Sequence, residues 1–344
     1  MEKRIKWLDV CKFFGIFAIY LGHFGSVTGY SVDYVFRFHV ALFFFVSGCI
    51  ETFNKETNVL KYTVKKIRDI MIPFWFFSVV SIFVCILEQN ISSIFIGDFF
   101  KVVLQGAVRN QFVAASLWFL SCLFVMEILF FLIKQIKNKA IIIIICLALH
   151  FVAANVLNPS PIVNPSWYYN VDSALYFIVF YALGYVFFPA IYRLFQLDTL
   201  KKRIIFAVSG IITFLYSAFT FVYIDVLAVF KTSPALSVFT SLLSAILLIW
   251  FWLVMAKLCE NSKALARVGQ YTLYLCGSEY IIKALVPAII SLLGITVTIS
   301  SPLAAYIYTG VLLALAYKYL VPIERICITQ IKLFFENLFS RDFA

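Results

Sequence analysis

The chain has 344 residues, of which 63% are hydrophobic and only 13% are charged, and its formal net charge is +11. A soluble globular domain is about 45–50% apolar and about 25% charged, so this composition excludes that class and predicts an integral membrane protein. The positive charge indicates basic cytoplasmic loops rather than nucleic-acid binding. Because the apolar runs are long and do not alternate with polar residues, we predict an all-α protein.

Ten apolar segments are long enough to cross a bilayer, which takes about 20 helical residues. We therefore predict a polytopic helical bundle that forms a single membrane-embedded domain over residues 1–344. The predicted spans are residues 9–28, 34–53, 70–88, 112–133, 139–157, 171–191, 203–224, 235–256, 271–292 and 302–322. Two further stretches, 91–104 and 325–339, have apolar faces and are predicted to lie on the membrane surface.

The number of lysines and arginines alternates between high and low in successive loops. Most of the 28 lie in every second loop and at the two termini. Basic loops face the cytoplasm, so both termini are predicted to be cytoplasmic in a multi-pass protein of the plasma (inner) membrane. The opposite loops hold only Lys101, Arg109 and Lys231, and three further cations lie at membrane depth, namely Lys12, Arg37 and Lys283. The first apolar run has no cleavage signal and is predicted to remain as an anchor.

Two histidines flank the connection between the first two spans. His23 ends the first apolar run and His39 begins the second. Ionisable groups at membrane depth are costly, so they are functional candidates by default. The two lie at equal distances from Ser31, which we place in the connecting loop, so antiparallel helices would bring both rings to the same depth. Neighbouring helices pack ~8–10 Å apart, which predicts a common cavity that Arg37 is placed to share.

Lys12 precedes His23 by eleven residues, close to three helical turns. The two side chains therefore share one helix face, roughly 16 Å apart along the axis. Asp9 lies three residues before Lys12 and is placed to pair with it. This stripe suits a long anionic ligand that enters from the cytosol and presents its reactive end to His23. The alternative is that His23 bonds a backbone carbonyl and serves packing alone.

Other ionisable residues in apolar runs have simpler interpretations. Glu127 is either a structural partner or a site residue. Glu279 and Lys283 are four residues apart, so mutual pairing is expected. His150 stands alone in an isoleucine-rich helix and is predicted to be a packing histidine. Asp172, at an outer helix end, is predicted to be solvated and suited to capping the helix.

Four stretches of the chain resemble the membrane acyltransferase-3 family, which comprises bacterial O-acyltransferases that modify polysaccharides and other envelope sugars. They are WLDVCK at 7–12 with Gly22-His23, FHVALFFFVSG at 38–48, the basic-to-proline stretch at 65–74, and SLWFL at 116–120. Ten helices is the usual number in that family, and the resemblance extends over essentially the whole chain.

The resemblance implies an acyl-CoA-dependent enzyme whose usual donor is acetyl-CoA, and it implies that His23 is the histidine essential for transfer. Lys12 stands where the family usually carries arginine; lysine keeps the charge but loses the bidentate fork. A family stretch that often ends in histidine ends here in Glu279. This departure leaves open any role for a third histidine.

The combined prediction is an O-acetyltransferase that moves an acetyl group from cytosolic acetyl-CoA to a sugar hydroxyl of a cell-envelope or exported polysaccharide. His23 and His39 are the predicted catalytic residues, with His23 either a general base or a transient acyl carrier. His39 or Arg37 would stabilise the oxyanion. The predicted substrate-binding residues, of which the lysines and Arg68 would bind CoA phosphates, are Lys12, Arg37, Lys65, Lys66, Arg68, Trp118, Glu127 and Glu279.

Two other functions remain open at this point. A transporter or flippase of polysaccharide or lipid-linked sugar also has many helices and buried charges, although the sequence shows no broken helices in matched halves. A non-catalytic binding scaffold is the third possibility. We predict no metal and no permanently bound cofactor. The predicted partners are acyl-CoA, a glycan or lipid-linked sugar, the lipid bilayer and glycan-assembly proteins.

Overall fold

The computed structural model describes residues 4–88, 96–109, 116–157, 165–223, 227 and 231–339. The regular structure of these residues is helical throughout, as the unbroken apolar runs predict. The α-helices of the described residues are, in chain order, α1 (Lys6–Gly22), α2 (Tyr30–Phe36), α3 (His39–Glu51), α4 (Val59–Lys66), α5 (Ile72–Glu88), α6 (Ile96–Gln105), α7 (Trp118–Lys134), α8 (Lys139–Val152), α9 (Val171–Leu194), α10 (Leu200–Tyr223), α11 (Pro234–Leu258), α12 (Lys263–Gln270), α13 (Thr272–Gly277), α14 (Glu279–Ser291), α15 (Pro302–Leu315) and α16 (Val321–Phe339).

Six helical runs within the described residues are long and apolar enough to cross a membrane. They are Tyr30–Glu51, Val59–Leu87, Lys139–Leu157, Tyr168–Leu194, Leu200–Tyr223 and Pro234–Leu258. Each coincides with one of the ten predicted spans. The predicted spans 9–28, 112–133, 271–292 and 302–322 are not among them. Helices α1 and α7 have only 17 residues each, residues 112–115 lie outside the described residues, and 271–292 is broken at Ser278. Ten spans with cytoplasmic termini therefore stay a prediction.

The connection after α1 differs from the predicted loop. Ser31 lies within α2, so its placement in the connecting loop was wrong. The chain turns earlier, in a 3-10 turn at Gly25–Thr28. Gly25 and Gly29 have φ angles of 64° and 60°, a region that glycine enters without the steric penalty of a side chain. The second predicted span also begins as a separate helix, α2, and α3 starts at His39.

The C-terminal helices form one continuous run. A π-helical turn at Ala316–Leu320 joins α15 to α16, so the predicted surface helix at 325–339 continues directly from the tenth predicted span. Two ion pairs tie α16 to the π-helical turn at Ile67–Met71, from Glu336 to Arg68 and from Lys332 to Asp69. Of the other predicted surface helix, 91–104, residues 91–95 lie outside the described residues and α6 covers the rest.

Close contact between α3 and α9 forms the centre of the bundle. A Cβ atom added to Gly48 would lie 1.9 Å from the Tyr181 carbonyl oxygen, and one added to Gly184 would lie 2.0 Å from that of Phe45. Small residues at both crossing points therefore let the two backbones touch, as is usual between membrane helices. Because α1 packs against α3, α11 and α12, the helices that carry the two histidines both lie inside the bundle.

Candidate active site

His23 and Glu279 form the centre of the site. His23 caps the C-terminus of α1, and its Nδ1 lies 2.9 Å from Oε2 of Glu279, the first residue of α14. A carboxylate at this distance favours the tautomer of His23 that carries its proton on Nδ1, and in this tautomer Nε2 is a proton acceptor. The His23 side chain is 28% exposed, whereas that of Glu279 is 2% exposed. A buried carboxylate thus orients an accessible imidazole, as in enzymes with a histidine base.

Lys283 completes the ion-pair network around this dyad. Its Nζ lies 2.6 Å from Oε1 of Glu279, which confirms the expected pairing of these two residues. The same ammonium donates to the backbone carbonyl of Tyr20 at 2.9 Å. We refer to His23, Glu279, Lys283 and Tyr20 as the His23 cluster. It joins the last turn of α1 to the first two turns of α14.

A break in the helix at Ser278 positions the acid of the cluster. Helix α13 ends one residue before the break, and α14 starts one residue after it. The backbone carbonyls at the end of α13 accept hydrogen bonds from side-chain hydroxyl groups. Tyr20 Oη donates to Leu275 O at 2.7 Å, and Ser116 Oγ donates to Cys276 O. A helix end buried in a membrane protein needs such donors.

His39 is the first residue of α3 and is buried. Its Nδ1 donates to the carbonyl of Val35 at 2.6 Å, so Nε2 of the neutral ring is an acceptor. A ring in this state cannot donate to an oxyanion, which is the role that the sequence predicts for His39 or Arg37. The Phe36 ring contacts both imidazoles, with centroids 6.4 Å from His23 and 5.1 Å from His39. Arg37 lies between α2 and α3, in the break next to these rings.

Lys12 lies in a small ionic group near the start of α1. Its Nζ is 2.9 Å from Oδ1 of Asp9, which confirms the expected pair. The sequence analysis missed Arg4, whose Nε lies 2.6 Å from Oδ2 of the same buried carboxylate. Two cations thus share one acid, and the group keeps a positive charge that suits an anionic ligand.

The three basic residues predicted to bind CoA phosphates have different surroundings. Lys65 is exposed in the last turn of α4. Lys66 lies 2.7 Å from Oε2 of Glu127, which gives that glutamate the structural partner considered above. Arg68 pairs with Asp69 at 3.0 Å as well as with α16. Lys65 is therefore the best placed of the three to meet a ligand from solution.

Trp118 begins α7 and is buried. The guanidinium of Arg109 lies 4.8 Å from the centre of its ring, and the Arg109 backbone N–H donates to Asn170 Oδ1 at 2.9 Å. The sequence analysis treated Arg109 as an outer-loop cation and missed this stacking. Trp118 also packs near Phe177, so its surroundings in the described structure are those of a packing residue.

Two predictions away from the site have clear outcomes. His150 is buried and its Nδ1 donates to the Tyr176 carbonyl, which confirms a packing histidine. Asp172 was expected to be solvated, and this was wrong. Its carboxylate is buried, and it accepts hydrogen bonds from the backbone N–H groups of Ser166 and Ser173 at 3.0 and 2.8 Å, which compensate the loss of water. Among the described residues, no group of His, Cys, Asp and Glu side chains has the arrangement of a metal site.

A sequence model of the acyltransferase-3 family, described as an acyltransferase domain, matches residues 5–321. The chain belongs to the acyltransferase-3 family. The matched region contains both histidines of the site together with Glu279 and Lys283. Searches of curated proteins and of solved structures returned no match. Family membership and the apolar helical runs together make this protein a multi-pass membrane acyltransferase.

Proposed function

We propose that this acyltransferase moves an acetyl group from cytosolic acetyl-CoA to a sugar hydroxyl of a cell-envelope or exported polysaccharide, or of its lipid-linked precursor. The pairing of His23 Nδ1 with Glu279 at 2.9 Å is the observation that carries the proposal. Acyl transfer to a hydroxyl needs a base for the hydroxyl proton, and imidazole serves this role near neutral pH. The pairing leaves Nε2 of an accessible ring for that proton.

In the proposed reaction, the acceptor oxygen attacks the carbonyl carbon of the thioester while Nε2 of His23 takes its proton. The new C–O bond forms, the C–S bond breaks, and CoA leaves as a thiolate that takes the proton back from the imidazolium. Glu279 stabilises the imidazolium, and Arg37 is the proposed oxyanion donor. We propose that Nε2 of His39 receives a hydrogen bond from the acceptor sugar. The same geometry allows Nε2 to carry the acetyl group transiently.

Positive charge near the start of α1 and the end of α4 supports the proposed donor. Lys12 and Arg4 share one carboxylate, and Lys65 is exposed. The distribution of lysine and arginine along the chain predicts that the start of α1 and the end of α4 lie on the cytoplasmic side of the inner membrane, where acetyl-CoA is available. They would bind its phosphates while the thioester reaches toward His23 along α1. Glycan-assembly proteins are the proposed partners on the acceptor side.

The test is transfer of labelled acetyl groups from acetyl-CoA to acceptor glycan by the purified protein in detergent or vesicles. We expect His23→Ala to lower the rate at least ~1,000-fold at equal protein yield, as for loss of a general base within a cooperating group. His150→Gln, which alters a histidine outside the site, is the control for the amount of folded protein. Full activity of His23→Ala would contradict the proposal.

One observation favours the transporter alternative. The sequence showed no matched broken helices, but the structure breaks the predicted spans 34–53 and 271–292, at the residues before His39 and at Ser278. Transporters often bind substrate at such breaks. The same vesicles therefore also measure glycan uptake. Uptake without acetyl transfer would assign the protein to transport.

A further inference from the structure

Lys283 contacts three groups that hold or flank His23. Its ammonium lies 2.6 Å from Glu279 Oε1 and donates to the Tyr20 carbonyl at 2.9 Å. It also lies 4.3 Å from the centre of the Phe24 ring, the residue that follows His23. An ammonium group has three N–H donors and favours the face of an aromatic ring. The ammonium group of Lys283 is therefore held by protein groups around His23 and Glu279.

The contact with Tyr20 fixes the end of α1. The Tyr20 carbonyl is one of the last four of this helix, which have no amide partner within the helix. A cation there also interacts favourably with the helix dipole. Because Tyr20 Oη donates to Leu275 of α13, the last turn of α1 is bonded to both halves of the broken helix. His23 follows this turn directly, so these bonds set its distance from Glu279.

The contact with Glu279 balances the charge of the site. An isolated carboxylate buried to this extent is strongly unfavourable, and a neutral imidazole does not compensate its charge. Lys283 supplies the counter-charge, so Glu279 can stay ionised beside Nδ1 of His23 before any proton is transferred. After the base has taken its proton, the same lysine keeps the carboxylate in place beside the imidazolium.

We infer that Lys283 is a positioning residue for the acyl transfer. It holds Glu279 and the end of α1 so that the His23 ring is correctly oriented for the reaction. This inference rests on the proposed function for its kinetic test, but not for its test of His23 reactivity. Its effect on the reaction is exerted through Glu279, and its bond to the end of α1 supports the same His23–Glu279 pair.

The kinetic test compares Lys283→Met with Lys202→Met. Lys202 pairs with Asp198 at 2.7 Å and has the same spacing of four residues from its acid, but it lies on the exposed start of α10. We expect Lys283→Met to lower kcat about 100-fold while KM for acetyl-CoA changes by less than about twofold, because only transition-state interactions are lost. Lys283→Arg should recover part of the rate, and Lys202→Met should match wild type.

A double-mutant cycle shows whether Lys283 acts through Glu279. If it does, Lys283→Met added to Glu279→Gln costs little beyond the single Glu279→Gln change, because the acid that it positions no longer carries a charge. Losses that multiply in the double mutant would overturn the inference. So would a wild-type kcat in Lys283→Met.

A reactivity test keeps the inference separate from the identity of the donor. The chain has three histidines, and the other two are buried with Nδ1 bonded to carbonyls. Diethylpyrocarbonate modification of His23, followed by mass spectrometry, therefore reports on one ring. We expect roughly five- to tenfold slower modification in Lys283→Met, since Glu279 and the last turn of α1 no longer hold the His23 ring with Nε2 accessible.

The outcomes separate the two proposals. If wild type transfers no acetyl group but His23 modification still depends on Lys283, the proposed function fails and the positioning role stands. If modification and kcat are both unchanged in Lys283→Met, the positioning role fails and the proposed function stands. Should Lys283→Met not accumulate, Lys283→Gln keeps a donor for the Tyr20 carbonyl and is measured by the same two readouts.

Discussion

In the described part of this acyltransferase, two buried groups pair lysine with glutamate, but only one of them contains a histidine. The first is the His23 cluster. In the second, hereafter the Tyr62 cluster, Lys66 pairs with Glu127 and Lys134 pairs with Glu51. Tyr62 donates to Glu51 at 3.2 Å, and the two ammonium groups lie 5.0 and 5.5 Å from the centre of its ring. Helices α3, α4 and α7 meet there.

The difference lies in charge balance and access. In the Tyr62 cluster each glutamate has its own lysine, and an aromatic ring covers both ammonium groups. In the His23 cluster one glutamate serves both a lysine and an imidazole, and the imidazole is partly exposed. On the proposed function, the same ion pair serves folding in one region and proton transfer in the other. What separates them is a partly exposed imidazole, a group that can both accept and donate a proton.

Glu279→Gln should show the largest difference between the two clusters. Glutamine keeps the shape and an acceptor for Nδ1 but loses the charge that stabilises the imidazolium. We therefore expect kcat to fall roughly 100- to 1,000-fold in the acetyl-transfer assay. Glu127→Gln makes the same change in the Tyr62 cluster and should leave kcat within about threefold of wild type. Equal losses in both variants would show that the clusters do not differ in function.

Lys134→Met tests the structural role of the Tyr62 cluster. It leaves Glu51 buried without its cation, which typically costs about 3–5 kcal/mol. We expect a clear drop in melting temperature and yield in detergent, while kcat per folded molecule stays close to wild type. Replacing both partners, as in Glu51→Leu with Lys134→Met, should restore much of the stability. An unchanged melting temperature in the single variant would contradict this role.

Lys65→Gln should have the smallest effect. An exposed cation contributes to binding an anionic donor through screened electrostatics, worth up to ~1 kcal/mol. We expect KM for acetyl-CoA to rise about two- to fivefold at low salt, with kcat unchanged and the difference reduced at high salt. Lys61→Gln, an exposed change one turn earlier in α4, is the control. Identical KM values in the two variants would remove Lys65 from the donor site.

Several local features were predictable because they depend on neighbours in the chain. The Asp9–Lys12 and Glu279–Lys283 pairs follow from helical spacing, and both are present. His39 begins a helix and His150 packs against a carbonyl, as expected. The prediction that Ser31 lies in the connecting loop was wrong, because the first helix ends and the chain turns at glycines that come earlier than hydropathy alone suggests. The prediction that Asp172 is solvated was wrong, because a position near the end of a predicted span does not reveal which backbone amide groups lie next to it in the folded protein.

The sequence by itself determined the membrane class, the helical runs and the acyltransferase-3 family, since these follow from composition, periodicity and motifs along one chain. It also marked Lys283 as a cation at membrane depth. Only the tertiary structure decided that Lys283 and Glu279 meet His23, and that Lys66 faces Glu127. Helical spacing determines which residues share a face of one helix, whereas the partner on another helix depends on how the helices pack and where α13 and α14 break.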